Sequence, residues 1–328
     1  MMSEDEIKHQ SISCYGQWKE VWRENAKYHA ARFPMHPFKD LANTGIGKAA
    51  LCIANGYSFE ENIETIRTYQ HLVDIVACDK TIKHCIDHGI TPKYCVVCDA
   101  NVSYETYLES VKDKLQDTTL IINVCANIKW AGQGNWKKVY FFVNQDVLKS
   151  EREFMALSGC PNMTVAGTNV SNQMVIALTQ ADNTSPRNFF GYDKYLLIGF
   201  DYSWGDGHYY AFDPDGGGKT NYMRNIYLKS QGGHYVYTST NLMFSARWFD
   251  QYVKAFRLPI FQCSNRSIIA GVGEVKDLAQ QMQYCHRPED SQFVQKMVKM
   301  KQEYQAMMKD IDRKLSDIAY EHLLASQA

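Results

Sequence analysis

Between Lys48 and Val143 the chain alternates short apolar runs with longer amphipathic stretches, and this alternation restricts the possible folds more than any other feature. The runs at 49–55, 73–78, 94–98, 119–125 and 138–143 have the length and β-branched content of strands, while 58–70, 80–88 and 103–114 recur at helical spacing. Strand, crossover helix and strand make a parallel pair. The expected fold is therefore α/β, a Rossmann-like mostly parallel sheet with helices on both faces. The pattern resumes with a helix at 169–180, a strand at 194–200, a helix at 240–256, a strand at 258–263 and a helix at 274–285. No internal repeat is visible.

Residues 1–44 carry Trp18, Val21, Trp22, Ala26 and His29 at helical intervals and end in the turn-forming Phe33-Pro34-Met35-His36-Pro37, which marks a helical N-terminal extension. Residues 45–287 form the Rossmann-like domain. From 288 to 328, Phe293, Met297, Met300, Tyr304, Met308, Ile311, Leu315 and Ile318 recur at intervals of four and three. That heptad-like seam predicts a long C-terminal helix, either docked on its own domain or joining copies into a homo-oligomer.

With 35 Lys+Arg against 36 Asp+Glu the formal charge is -1, so the basic excess of a nucleic-acid or anionic-membrane binder is missing. The longest apolar runs, 120–126 and 195–200, are shorter than the roughly 18 residues of a membrane span. No membrane span is expected. The start, Met1-Met2-Ser3-Glu4-Asp5-Glu6, is acidic where a secretory signal is basic and then apolar, which points to the cytoplasm. Ten cysteines are scattered through apolar stretches, as buried reduced thiols are. Cys95 and Cys98 form a C-x-x-C, but within a strand residues three apart face opposite ways, so packing is preferred over a metal or redox site.

In open parallel sheets ligands bind beyond the carboxyl ends of the strands. The residues expected there are Asn55, Asp79, Asp99, Asp201 and Ser264. Asn55-Gly56-Tyr57-Ser58 is a tight turn in which Gly56 lets backbone N–H groups approach an anion and Ser58 caps the next helix. Plain turn chemistry would demand the same residues. Asp79 and Asp99 are each ordinary helix caps when taken singly, but they share one sheet edge. Gly167, Thr168 and Asn169 open another helix whose N–H groups can face a nucleotide. Between Asp201 and Asn241 the periodicity is lost and tyrosines accumulate, which suggests a lid or a wall for an acceptor. Within it His208 is the candidate general base.

Together these motifs resemble the MptE-like family, which includes archaeal hydroxymethylpterin diphosphokinases and bacterial motility-accessory-factor proteins that glycosylate flagellin, and the related bacterial sialyltransferases. The resemblance rests on Gly56-Tyr57-Ser58 after the first strand, on Gly89-Ile90-Thr91-Pro92-Lys93 through Asp99, and on Gly199-Phe200-Asp201 followed by His208, Tyr209, Tyr210 and Ala211. Cys263-Ser264-Asn265 followed by Ile269-Ala270-Gly271 completes it, over roughly 45–275. The diphosphokinases carry Asp-x-Asp-Gly after the third strand; here Cys98-Asp99-Ala100-Asn101 offers one carboxylate. In the sialyltransferases a Tyr-Ala-Phe-Asp run supplies a tyrosine to the leaving phosphate, and Tyr210-Ala211-Phe212-Asp213 reproduces it. Their histidine a few residues after a His-Tyr pair is replaced by Thr238 after His234-Tyr235.

The resemblance thus implies a nucleotide-sugar-dependent glycosyltransferase, with a CMP-linked nonulosonic acid as co-substrate and a glycan or protein hydroxyl as acceptor. Tyr210 with the amides near Gly56, Ser58 and Thr168 would stabilise the departing phosphate, and His208, or failing it His234, would take the acceptor proton. Asp79, Asp99 and Asn169 would hold the nucleoside, with Ser264 and Asn265 near base or sugar. The alternatives are an ATP-dependent diphosphokinase with Asp99 on Mg²⁺, and a non-catalytic nucleotide-binding or assembly protein.

Overall fold

The computed structural model describes residues 4–144 (side chains from 16), 160, 162–163, 169–180, 188–205, 209–213, 226–285 and scattered helical positions between 296 and 314. Among the described residues eight strands form one parallel sheet: β1 (Ala49–Ile53), β2 (Asp74–Cys78), β3 (Tyr94–Val97), β4 (Thr119–Asn123), β5 (Lys138–Asn144), β6 (Asn162–Met163), β7 (Lys194–Ile198) and β10 (Ile260–Gln262). Their order is β10-β7-β1-β2-β3-β4-β5-β6, and β6 is only two residues long. The central strands are buried along their whole length, because helices cover both faces and no side chain on either face meets water.

Alternate side chains of β1 divide between two cores. Leu51 and Ile53 pack with Phe59, Ile66, Ile82 and Trp130 on one face, while Ala50 and Cys52 pack with Met174, Leu178, Phe249 and Tyr252 on the other. Cys95 likewise lies in the first core and Cys98 packs against the second, as a strand requires. The first face is covered by α1 (Glu4–Arg32), α2 (Tyr57–Glu61), α3 (Ile63–Tyr69), α4 (Ile82–Asp87), α5 (Tyr104–Tyr107), α6 (Ile128–Gln133) and α9 (Leu278–Gln283). The second is covered by α7 (Val170–Thr179) and α8 (Thr240–Phe256). Nine of the ten residues of α7 are buried, including Asn172 and Gln173, so it is a fully enclosed helix rather than an amphipathic one.

Several elements depart from expectation. The helix expected at 58–70 breaks at Asn62, whose side-chain amide donates to Ser58 O (2.8 Å) and competes with helical pairing. The stretch 103–114 is α-helical only to Tyr107 and continues as 3-10 turns. Helix α6, capped by Asn127, was hidden by its short length. The expected lid at 201–241 contains an antiparallel hairpin, β8 (Ile226–Lys229) and β9 (Tyr235–Thr238), whose period-2 pattern is masked by the surrounding glycines and tyrosines. The N-terminal extension is helical and tied to the exit of β4: Asn25 donates to Cys125 O (3.0 Å) and His29 Nδ1 to Val124 O (2.8 Å). Among the described residues no helix is long and apolar enough to cross a membrane.

The chain winds outward from β1 to β6 and then returns to β7 on the other side of β1, placing the topological switch between β1 and β7. There the two strand exits cross in near contact. Gly56 N donates to Gly199 O (3.0 Å), Gly199 has φ +73, and a Cβ at Gly199 would stand 1.9 Å from Ala54 O. Gly89 has a similar φ of +71 but open space around it. Gly89→Ala is therefore expected to cost about 1–2 kcal/mol, the left-handed penalty alone, and Gly199→Ala at least about 3 kcal/mol because backbone must also move. Urea denaturation of both variants checks this; equal costs would mean that the crossing is not tight.

Candidate functional site

Beyond the carboxyl ends of the parallel strands lies a cavity of about 540 Å³, a size that takes a nucleotide-scale ligand. Asn55 and Gly56 line it from the exit of β1, Asp79 and Lys80 from β2, Asp99 from β3 and Asn144 from the end of β5. Asn169, Ser171 and Gln173 come from the start of α7, Tyr202 and Ser203 from the exit of β7, and Ser239 and Asn241 from the start of α8. Tyr209 and Tyr210 close one side. Trp22 is brought in by the contacts that tie α1 to β4.

Two helix starts face this cavity, each with its cap made by a side chain. Asn169 Oδ1 accepts from Ser171 N (2.8 Å) and Ser239 Oγ from Leu242 N (3.3 Å). Among the described residues, Asn55 Oδ1, Asn144 Oδ1 and Gln173 Nε2 in the lining are buried and find no hydrogen-bond partner. Gln173 is 3% exposed, so its unmet donor is costly unless something polar enters the cavity. This surface suits a ligand rich in hydrogen-bonding groups.

Lys80 supplies the positive charge. Its ammonium is 3.4 Å from Tyr210 Oη and 4.6 Å from the centre of the Tyr210 ring, and among the described residues no carboxylate forms an ion pair with it. Burial pulls its pKa down, but the oxygens of Tyr210, Asp79 and Tyr107 outweigh that and hold it above the usual lysine range. It is charged at neutral pH. Burial pushes the neighbouring Asp79 carboxyl up to about 6, against the pull of Lys80, with Asp99 adding a small push in the same direction. Asp79 Oδ1 also accepts from Lys80 N at 2.7 Å.

The structure gathers Asn55, Gly56, Asp79, Asp99, Asn169 and Tyr210 around one cavity, as the sequence suggested. It removes Ser58, Asp201 and Ser264 from the lining. All three are buried and bonded to one another: Asp201 accepts from Ser58 N (2.9 Å), Ser58 Oγ (2.5 Å) and Ser264 Oγ. A carboxylate taken out of water needs such donors, and these three commit it to the protein rather than to the cavity. Gly56 is required by this cluster too, since a Cβ there would stand 2.5 Å from Asp201 Oδ2. Asn265 is exposed, and its backbone carbonyl accepts from Ser230 and Gly232 of the hairpin turn. His234 is exposed on that same turn and does not line the cavity, so the fallback base is misplaced. His208, Gly167 and Thr168 lie outside the described residues. Lys80, Gln173, Asn144 and Trp22 were missed; only Lys80, next to a strand-end Asp, carried a usable signal.

Comparison with known proteins bears on the family and the fold. The family model described as 6-hydroxymethylpterin diphosphokinase MptE-like matches residues 23–207. No curated protein matches the sequence. Among solved structures, a MAf glycosyltransferase from Magnetospirillum magneticum AMB-1 is similar, with a TM-score of 0.63 and 16% sequence identity. The match covers 86% of this chain and 42% of that one, so this chain spans less than half of its neighbour's length. At that identity the likeness is one of fold.

The Asp79 carboxyl holds its proton up to about pH 6 when folded, against the usual 3.8. Its contribution to stability is therefore fully present below pH 3.8 and lost as the pH rises through about 6. Asp79→Asn keeps the acceptor for Lys80 N and removes the buried charge. The variant is expected to exceed the wild type by on the order of 2 kcal/mol at pH 8 and to match it near pH 4. Urea midpoints at the two pH values test this, and a pH-independent difference would contradict it.

Proposed function

Because the chain belongs to the MptE-like family, we propose that it is a glycosyltransferase using a nucleotide-sugar donor, a CMP-linked nonulosonic acid, and a hydroxyl group as acceptor. The observation that carries this reading is the Lys80–Tyr210 pair in the cavity wall. A glycosidic bond that breaks through an oxocarbenium-like state leaves negative charge on the departing phosphate. A charged lysine beside a phenol is suited to receive it. The amide atoms of Asn55, Asn144 and Gln173 supply partners for the nucleoside and sugar. The acceptor proton is assigned to His208, two residues before Tyr210, with Asp79 in the cavity lining as an alternative acceptor.

A second reading has its own support. Asp79, after β2, and Asp99, after β3, both line the cavity, and the charge of Asp99 adds to the upward push on the Asp79 carboxyl. Such a pair, completed by water, fits the oxygen preference of Mg²⁺ and with it an ATP-dependent diphosphokinase. In that case Asp79 and Asp99 would hold the ion, which would draw ATP phosphates towards Lys80.

Melting shifts separate these readings by mass action. CMP or CDP is expected to stabilise the protein without metal; stabilisation by ATP only with Mg²⁺ would favour the diphosphokinase, and no shift with either would favour a non-catalytic protein. Loss of one charge-assisted contact to phosphate is worth about 1.5–3 kcal/mol, so Lys80→Met should weaken CMP binding about 10- to 100-fold. Tyr210→Phe should lower turnover by about 10²-fold with donor affinity nearly unchanged. His208→Ala should lower turnover about 10²–10⁴-fold at constant donor affinity. If Asp79→Asn does so instead, the proton goes to Asp79.

A further inference from the structure

Three tyrosines of the β8–β9 hairpin, Tyr227, Tyr235 and Tyr237, are 58%, 65% and 42% exposed. Alternation along the strands puts them on one face, and the register sets Tyr227 opposite Tyr237 and Lys229 opposite Tyr235. The Tyr227 and Tyr235 rings are stacked with centroids 5.3 Å apart and planes 13° apart, and Tyr237 lies 5.0 Å from Tyr227. Cross-strand aromatic pairing stabilises a hairpin by only about 0.2–1 kcal/mol per pair, whereas burying a large apolar side chain is worth roughly 1.5–3 kcal/mol. Pairing alone does not account for three rings left in water.

The platform is held firmly and next to the cavity. Trp204 and Tyr237 exchange both backbone hydrogen bonds (2.8 and 2.7 Å), and Thr238 Oγ1 donates to Tyr202 O (2.7 Å). Both contacts fall on the exit of β7, whose Tyr202 and Ser203 line the cavity. A run of rings connects the two places: Trp204 is 5.0 Å from Tyr209, which is 4.6 Å from Tyr210.

We propose that this face binds the acceptor, and that the acceptor is a saccharide whose pyranose rings stack on Tyr227 and Tyr235; this rests on the glycosyltransferase reading of the neighbouring cavity. The electron-rich face of a phenol attracts the weakly positive C–H face of a pyranose, and the phenol hydroxyls at the rim can pair with sugar hydroxyls. Size decides against a protein partner. Three half-exposed tyrosines present roughly 400 Å², about half of the 800 Å² that each partner contributes to a standard protein interface, and enough for one or two sugar rings.

The test is saturation-transfer NMR on the full chain with methyl β-galactopyranoside, methyl N-acetyl-β-glucosaminide and a Ser/Thr-rich peptide as probes. Each is present at about 10 mM so that a Kd of order 1 mM is seen. The expected result is transfer to the ring C–H protons of at least one glycoside, lost in Tyr227→Ser/Tyr235→Ser and retained within a few-fold in Tyr227→Phe/Tyr235→Phe. The CMP melting shift should be the same in all three proteins, which shows that the variants are folded and the cavity intact. No glycoside transfer in the wild type, equal transfer in the serine variant, or binding of the peptide instead would overturn the proposal. A wild-type dimer that the serine variant converts to monomer in light scattering would overturn it too. If glycoside binding is lost in the serine variant while CMP shifts none of the proteins, the saccharide platform stands and the nucleotide-sugar reading falls.

Discussion

The buried carboxylate of Asp201 is the contact on which the arrangement of the molecule depends. It lies just past β7 and receives hydrogen bonds from the backbone and side chain of Ser58, after β1, and from Ser264, after β10. Burial pushes its pKa up, and the bonds from Ser264 and Ser58 pull it back. A carboxylate in such a place is tolerated only when every donor is in position, so three strand exits from distant parts of the chain are held in one geometry. Gly56 and Gly199 are the steric consequence: the exits approach so closely that neither position has room for a Cβ.

With the exits of β1 and β7 fixed, the cavity is fixed as well. Its floor is α7, enclosed on all sides, and Asn172 Nδ2 ties that helix to α8 by donating to Ser245 O (3.1 Å). Onto this rigid frame the chain places groups that do not favour folding: a carboxyl at Asp79 whose burial resists ionisation, and amide atoms of Asn55, Asn144 and Gln173 that find no partner among the described residues. Several unfavourable polar groups that share one cavity lining mark a place where stability is given up for binding.

The loop that carries Tyr210 is held from outside the cavity. Phe212 has φ +60 and stacks between His84 (4.6 Å) and His88 (4.8 Å), while its N–H donates to Glu60 (2.8 Å). Burial lowers the His84 pKa to about 4, so that imidazole is neutral and packs as an aromatic ring. Ala211 N, meanwhile, donates to Asn55 O (3.0 Å). The Tyr-Ala-Phe-Asp run therefore works as a unit, with one residue facing the cavity, one paired to the β1 exit and one anchored against α4.

The sheet, its parallel sense, the two helical layers and the edge at which the cavity lies were legible in the sequence, because apolar periodicity reports burial and burial on both faces dictates a parallel sheet. The family was legible too, from short motifs in a fixed order over a chain whose residues 23–207 match its model. Asp79, Asp99, Asn55 and Tyr210 could be placed near one another because each follows a strand or sits in a motif. What the sequence could not separate was a polar residue facing a ligand from one facing the protein. Ser58, Asp201 and Ser264 have the same residue types and strand-end positions as true lining residues, and they differ only in finding one another across 63 and 143 positions of chain. Gln173, in turn, reads as one polar residue in an apolar helix, and becomes a cavity donor only when α7 is buried on every side. Periodicity is a property of neighbours along the chain and is written in the sequence; the satisfaction of a buried polar group depends on partners far apart along it, and only the tertiary structure decides that.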